Sequence, residues 1–263
     1  MECRCIISYR ALSLGKKNYA KNNKVQGHQK PFFAPLRLCV KHLLMNSIDY
    51  LRTMYNLPYY KEKDTAIVIE FMKQHSFAMV IGVDAEQKPV ATQIPFLFVE
   101  KDGQLYLRGH IMKGNDHHKA FTENKNVLAV FTGPHTYVSA SWYANNKQAS
   151  TWNYMTVHAK GEMSFLADTE LLVMLDELTS FYENDPNSPS LYKELPEDYI
   201  LRLTKAIVAF EIKVTSIDHV FKLSQNRDEK SYGHIMDKLE LGDADAKAIA
   251  AEMRKRKEQV FPS

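Results

Sequence analysis

The chain has 263 residues, with 45% hydrophobic side chains, 25% charged ones and a formal net charge of +3. These shares are ordinary for a soluble globular protein, and no apolar run approaches the roughly 18 residues of a membrane-spanning helix. The net charge hides an asymmetry. Residues 1–45 hold nine Lys/Arg and one acidic residue, while the remaining 25 basic and 30 acidic residues leave the body at −5. A case for nucleic-acid binding from overall basicity therefore rests on that arm alone. Cys3, Cys5 and Cys39 lie there too, so the body has neither a disulfide framework nor a thiolate metal site, which suits a reducing cytoplasm.

Residues 1–53 are basic, rich in Asn, Gln and Lys at their centre, and lack sustained periodicity. They read either as a basic tail that touches DNA or a membrane surface, or as an over-long start. Beyond them Asp64 is placed to cap a helix in which Ile67, Val68, Phe71 and Met72 recur at helical spacing, ending near His75. Phe77–Asp84 reads as a strand followed by a polar turn. Pro89–Val99 and Gln104–His110 form an expected hairpin about Lys101-Asp102-Gly103, because Asp-Gly accepts the positive φ of a tight turn.

A short helix is expected at Asp116–Glu123, then strands at Val127–Phe131 and Thr136–Ser141, and a long strand at Thr151–Phe165 bent at Gly161. Asp168 caps an amphipathic helix with an apolar stripe of Leu171, Leu172, Leu175, Leu178 and Phe181. Asn184–Pro196, with three prolines, reads as a loop. Strands at Ala206–Val214 and His219–Leu223 precede a charged helical tail over Asp228–Gln259, broken around Gly242. Many short strands with helices inserted between them argue for a mainly β fold of the α+β kind. The expected form is an antiparallel barrel with peripheral helices and a helical C-terminal tail.

The stretch Phe131–Tyr154, FTGPHTYVSASWYANNKQASTWNY, holds both tryptophans, a Gly-Pro-His corner and several Ser, Thr and Asn groups. Aromatic faces beside small polar donors suit a flat ligand with a polar edge. Composition equally allows a Tyr/Trp-rich sheet surface or a dimer interface. The blocks GPHTYVSASWY (Gly133–Tyr143), TWNY (Thr151–Tyr154), VH (Val157–His158) and KLSQNR (Lys222–Arg227), in that order, closely resemble the PaiB family. That family comprises FMN-binding split-barrel proteins regarded as negative transcriptional regulators.

The resemblance runs from about Met54 to near the C-terminus. It favours the over-long start for residues 1–53 and one domain over 54–263. It implies an FMN-binding split β-barrel, a cytoplasmic homodimer with the flavin pocket at the subunit interface, and a negative regulatory role. A flavin-dependent oxidoreductase of the flavin-reductase or pyridoxamine-phosphate-oxidase kind is the alternative. Heme binding is a third reading, with His135, His158 or His234 as ligand; each reads first as a structural histidine. No helix-turn-helix is legible and the acidic body is a poor partner for a duplex, so direct DNA binding has no support from charge or motif. No catalytic triad is legible either, and flavin chemistry requires none.

FMN poses two physical problems. Its phosphate wants cationic donors or the N–H groups of a helix start. The corner LRGHIMKGNDHHKA supplies Arg108, His110, Lys113 and Asn115, with Gly114 allowing close approach; the rival reading is a solvated surface turn. The ring wants a dry slot with hydrogen bonds to its edge. By resemblance that slot runs along Thr92, Gln93 and Ile94, where Pro95 suits an edge or bulge. Trp142, Trp152 and Asn153 belong to the signature blocks, as ring platform or as interface anchors. Ser139 is a further candidate. Lys222, Gln225, Asn226 and Arg227 present donors to an anion from a rim segment; alternatively Asn226 caps the helix beginning near Asp228.

Overall fold

The computed structural model describes residues 55–262, so the expectation for residues 1–53 lies outside them. A 3-10 turn at Pro58–Tyr60 leads into helix α1 (Thr65–Gln74), whose start is capped as expected: Asp64 accepts from the Ala66 N–H. Strands β1 (Phe77–Val83), β2 (Pro89–Pro95), β3 (Leu97–Lys101) and β4 (Gln104–Met112) follow, then α2 (Asp116–Glu123), β5 (Asn126–Val138) and β6 (Thr151–Phe165). Helices α3 (Asp168–Glu183) and α4 (Glu197–Ala206) precede β7 (Ile207–Lys222), and the chain closes with α5 (Glu229–Leu239), α6 (Ala244–Lys255) and α7 (Lys257–Val260).

All seven strands form one antiparallel sheet in the order β2-β1-β5-β6-β7-β4-β3. The two edge strands, β2 and β3, are joined through the single residue Phe96, so the sheet curls until its edges meet. Gly109 permits that closure. A Cβ there would meet Ile94 Cγ2 at 2.9 Å and Phe210 Cζ at 3.0 Å. The curl encloses Val80, Ile94, Phe96, Leu107, Ala129, Phe131, Val157, Phe210 and Ile212, all buried. Removing one such ring, as in Phe210→Ala, is expected to cost about 3–5 kcal/mol. At one end α1 and α6 plug the barrel, with Phe71 packed 5.1 Å from Phe221 and Ile249, Ala250 and Met253 buried. This is the split barrel expected from the sequence. Among the described residues no helix is long and apolar enough to cross a membrane.

Several boundaries differ from expectation, each for a local reason. The first arm of the expected hairpin breaks at Phe96, where β2 leaves its pairing with β1 and β3 takes up pairing with β4. The turn itself is as expected, with Asp102 and Gly103 at φ 51° and 72°. Gly133-Pro134 interrupts no strand; β5 continues through it with a shift of register between Thr132 and His135. Likewise β7 is continuous, with Thr215 as the extra residue opposite the Lys160–Gly161 step. Ala167, without a side-chain bond, is the N-cap of α3, and Asp168 lies inside the helix. Phe181 is 59% exposed, so the buried stripe of α3 is Leu171 and Met174. Asp228 rather than Asn226 caps α5, accepting from the Ser231 N–H. The unexpected α4 carries its signal in Glu197 and Asp198, acidic residues in the first turn.

Candidate functional site

The residues expected from the sequence gather in three places. On β2, Ile94 points into the core, Thr92 shares its face and is half-buried, and Gln93 faces outward opposite Met79. Because β2 pairs only with β1, part of its backbone N–H and C=O row stays off the ladder. That row is what a ring edge can use.

At the β4–α2 corner, Leu107, Gly109 and Ile111 face inward, which turns Arg108 and His110 outward. Arg108 donates through Nε and Nη2 to Glu211 Oε2, both at 2.7 Å, on the neighbouring strand. His110 lies opposite Ala209, and its Nδ1 is buried with no hydrogen-bond partner. Burial holds its pKa below the usual histidine value, so the ring is neutral at neutral pH. Lys113 Nζ donates to the Thr204 carbonyl at 2.9 Å and sits 3.6 Å from Asp168 Oδ1. Asn115 caps α2 by accepting from His118 N–H at 3.1 Å. Gly114, at φ 85°, has open space where a Cβ would stand.

The third place is the end of β6 and β7 where the signature blocks converge. Tyr154 pairs with Lys222, and Tyr137 with Trp152. Lys222 Nζ donates to Thr151 Oγ1 at 2.6 Å and lies 5.5 and 6.0 Å from the ring centroids of Tyr55 and Tyr60. The Arg227 guanidinium stacks 4.2 Å over the Tyr143 ring and donates to Gln148 Oε1, while its Nε is buried and unpartnered. Gln225 is used by its own turn, accepting from Leu223 N–H and donating to the Phe221 carbonyl. Asn226 is exposed. Asn153 is fully buried: it accepts from Ser224 Oγ at 3.0 Å and donates to Met253 Sδ at 3.6 Å, so its amide is engaged within the core. The Ser139 and Ser141 hydroxyls bond each other at 2.8 Å, and Trp142 packs against the core.

The corner and the signature end lie at opposite ends of β7, where Met112 pairs with Ile207 and Tyr154 with Lys222. The intervening 16 residues span roughly 50 Å of strand path at about 3.3 Å per residue. The two places are thus far apart along the strand. The outer face of β1, β5 and β6 leaves Phe77, Met79, Tyr137 and Trp152 exposed, at 63%, 38%, 48% and 53%, the last two at the signature end. Tyr137 and Trp152 meet edge-on at 5.9 Å.

Two grooves lie at the α1–α6 end, the second reaching Tyr60 and Gln225 of the signature end. One of about 770 Å³ runs between α1 and α6 over Phe71 and Phe221, and one of about 710 Å³ lies beside Tyr60 and Arg256. Of the expected residues only Gln225 lines either. The three histidines considered for heme are scattered: His135 is exposed beside Trp152, His158 is half-buried on β6, and His234 is exposed on α5. Sequence reading missed Glu211, Thr204, Tyr55 and Tyr60. Only strand register and tertiary folding bring these to the sites.

A curled antiparallel sheet with a polar strand-to-helix corner at its rim defines the class as a split-barrel cofactor-binding protein. Residues 54–216 match the family model described as "Putative FMN-binding domain", and the chain belongs to that family, whose cofactor is FMN. It is 36% identical over 187 residues to the protease synthase and sporulation protein PAI 2 of Bacillus subtilis, covering 71% of this chain and 89% of that protein. An uncharacterized protein of Emericella nidulans is 29% identical over 206 residues, with 64% and 82% covered. Among solved structures, the FAD and heme binding protein of Mycobacterium smegmatis superposes with a TM-score of 0.45 at 18% identity, covering 61% of this chain and 72% of that one.

Proposed function

We propose that this protein is a cytoplasmic, homodimeric negative transcriptional regulator of the PaiB type that reports flavin state. The observation that carries the reading is the FMN-binding family match over β1 to β6 and β7 as far as Ser216, together with the 36% identity to the PAI 2 protein. Its flavin lies along β2 and ends at the β4–α2 corner. The residues there suit the group. The start of α2 and Lys113 offer positive charge to a phosphate, and Gly114 leaves room for close approach. The His110 Nδ1 lacks a protein partner in a buried setting, as a group awaiting a ligand would. The off-ladder backbone of β2, with Thr92 and Gln93, serves the ring edge.

Bound FMN would supply the redox chemistry, and the protein's part is to hold and screen it. Neither groove described above is lined by β2 or the corner. A second copy would complete the pocket, and the exposed Phe77, Met79, Tyr137 and Trp152 give it an apolar, aromatic surface to cover. The acidic body argues for regulation without extensive phosphate-backbone contact.

Two titrations test this reading. FMN is expected to bind Lys113→Ala at least about tenfold more weakly than the parent, about 1.4 kcal/mol, as loss of a charge-assisted contact requires. Unchanged affinity would sink the placement. Under anaerobic conditions NADPH is expected to leave the bound flavin oxidised over many minutes; prompt bleaching would make the protein an oxidoreductase instead.

A further inference from the structure

Lys222 and Arg227 are two half-buried cations at the signature end, and their side-chain partners among the described residues are all neutral: Thr151 for Lys222, Gln148 and Tyr143 for Arg227. The acids nearest in sequence are committed elsewhere. Asp228 accepts from the N–H and hydroxyl of Ser231 at the start of α5, and Asp218 is bound to Lys61 at 2.5 Å. Burial first, and then the charge of Arg227, hold the Lys222 pKa below its usual value, so the two cations feel each other. Like charges brought together in a partly dry setting without a counter-ion destabilise the fold unless something else needs them.

The surroundings say what that is. Lys222 has three N–H donors and uses one on Thr151; Arg227 keeps a buried Nε with no acceptor. The hydroxyl-bearing rings of Tyr55, Tyr60, Tyr143 and Tyr154 wall the pair; Tyr60 and Tyr143 are buried, Tyr55 is half exposed, and Lys222 and Arg227 are partly exposed. Two positive charges match the charge of about −1.5 to −2 on a phosphate monoester better than the single charge of a carboxylate. Flat tyrosine faces beside them favour a ring attached to that phosphate. The rival explanation, that stacking on tyrosine is reason enough for both cations, accounts for the Arg227–Tyr143 pair but leaves the Nε orphan and the adjacent Lys222 unexplained.

We infer that Lys222, Arg227 and the tyrosines around them form a second ligand site, for the phosphate monoester of a small aromatic molecule, distinct from the flavin corner of the same subunit. It would serve the regulator as its effector site. The inference rests on the local geometry and stands whether or not the flavin placement does. Three of the sequence blocks that carry the family resemblance meet here, through Tyr143, Thr151 with Tyr154, and Lys222 with Arg227.

The test is calorimetric titration of the full-length, FMN-loaded protein with phenyl phosphate, against phenol at equal ionic strength. Saturable binding of phenyl phosphate alone is expected, weakened at least about tenfold in Lys222→Met and in Arg227→Gln, with flavin content unchanged and Arg227→Lys intermediate. Lys113→Ala should lose flavin and keep phenyl phosphate binding, which separates failure of the flavin placement from failure of this site. No binding by the folded parent, equal binding by the folded variants, or loss of flavin from Lys222→Met would overturn the inference; the last would make these residues the flavin's own phosphate site. Circular dichroism identifies a variant that fails to fold, and Arg227→Lys then carries the comparison, since preserved charge must preserve part of the binding.

Discussion

Arg108 and Glu211 face each other across β4 and β7, and both Nε and Nη2 of the arginine reach the same carboxylate oxygen at 2.7 Å. The pair is mostly out of water, at 14% and 17% side-chain exposure. Its charge is thereby committed within the sheet. Arg108→Ala should leave Glu211 with only its longer, more exposed contact to Lys101 Nζ at 3.4 Å and lower stability by roughly 1–3 kcal/mol, below the full cost of breaking a deeply buried pair. Urea unfolding measures that loss. FMN titration of the same variant should show a smaller effect than Lys113→Ala; a larger one would return Arg108 to the phosphate.

Asn153 sits between Ser224 and Met253 with no exposed surface. Asn153→Ala leaves the buried Ser224 hydroxyl without its acceptor and is expected to lower stability by about 1–3 kcal/mol. Flavin affinity should be unchanged. A variant of native stability that fails to hold flavin would place this amide at the ligand after all.

The outer face of β1, β5 and β6 should behave as an interface. Phe77→Glu and Trp152→Glu put charge into an apolar contact, and light scattering is expected to show a dimer becoming a monomer. Weaker FMN retention should accompany the change. Dimers that persist in both variants would move the interface elsewhere.

Stability should fall on acidification through the histidines. His219 Nε2 accepts the Glu62 N–H at 2.7 Å, which requires an unprotonated nitrogen. Burial, then the charge of Lys61, holds its pKa below the usual value, and burial does the same for His75, His110 and His158. The unfolded chain then binds these protons more readily than the fold. Stability is full above about pH 6.5, falls as pH drops below it, and levels once the folded pKa values are passed. Urea midpoints should drop between about pH 7.5 and 5.5, with a shallower slope in His219→Gln. Equal slopes in parent and variant would remove His219 from this account.

Local chemistry made much of the fold legible in the sequence. The Asp64 cap, the Asp102-Gly103 turn and the span of α2 follow from short-range preferences and appear in the structure. Where sequence broke strands in two, at Gly133-Pro134 and before His219, pairing with β6 on one or both sides carries the chain through the irregularity. Propensity does not contain that cross-strand support. The site was less legible for the same reason. Arg108 and Lys222 look alike as basic residues on strands. Only register shows that Glu211, 103 positions away, answers the first while no acid among the described residues answers the second.

The visible absorption spectrum of the full-length protein as purified, followed by identification of whatever chromophore denaturation releases, tests the central claim most directly. Two flavin bands with FMN in the supernatant, and their loss in Lys113→Ala, are expected. A colourless, folded protein that takes up no added FMN would contradict the account and leave the split barrel without its cofactor.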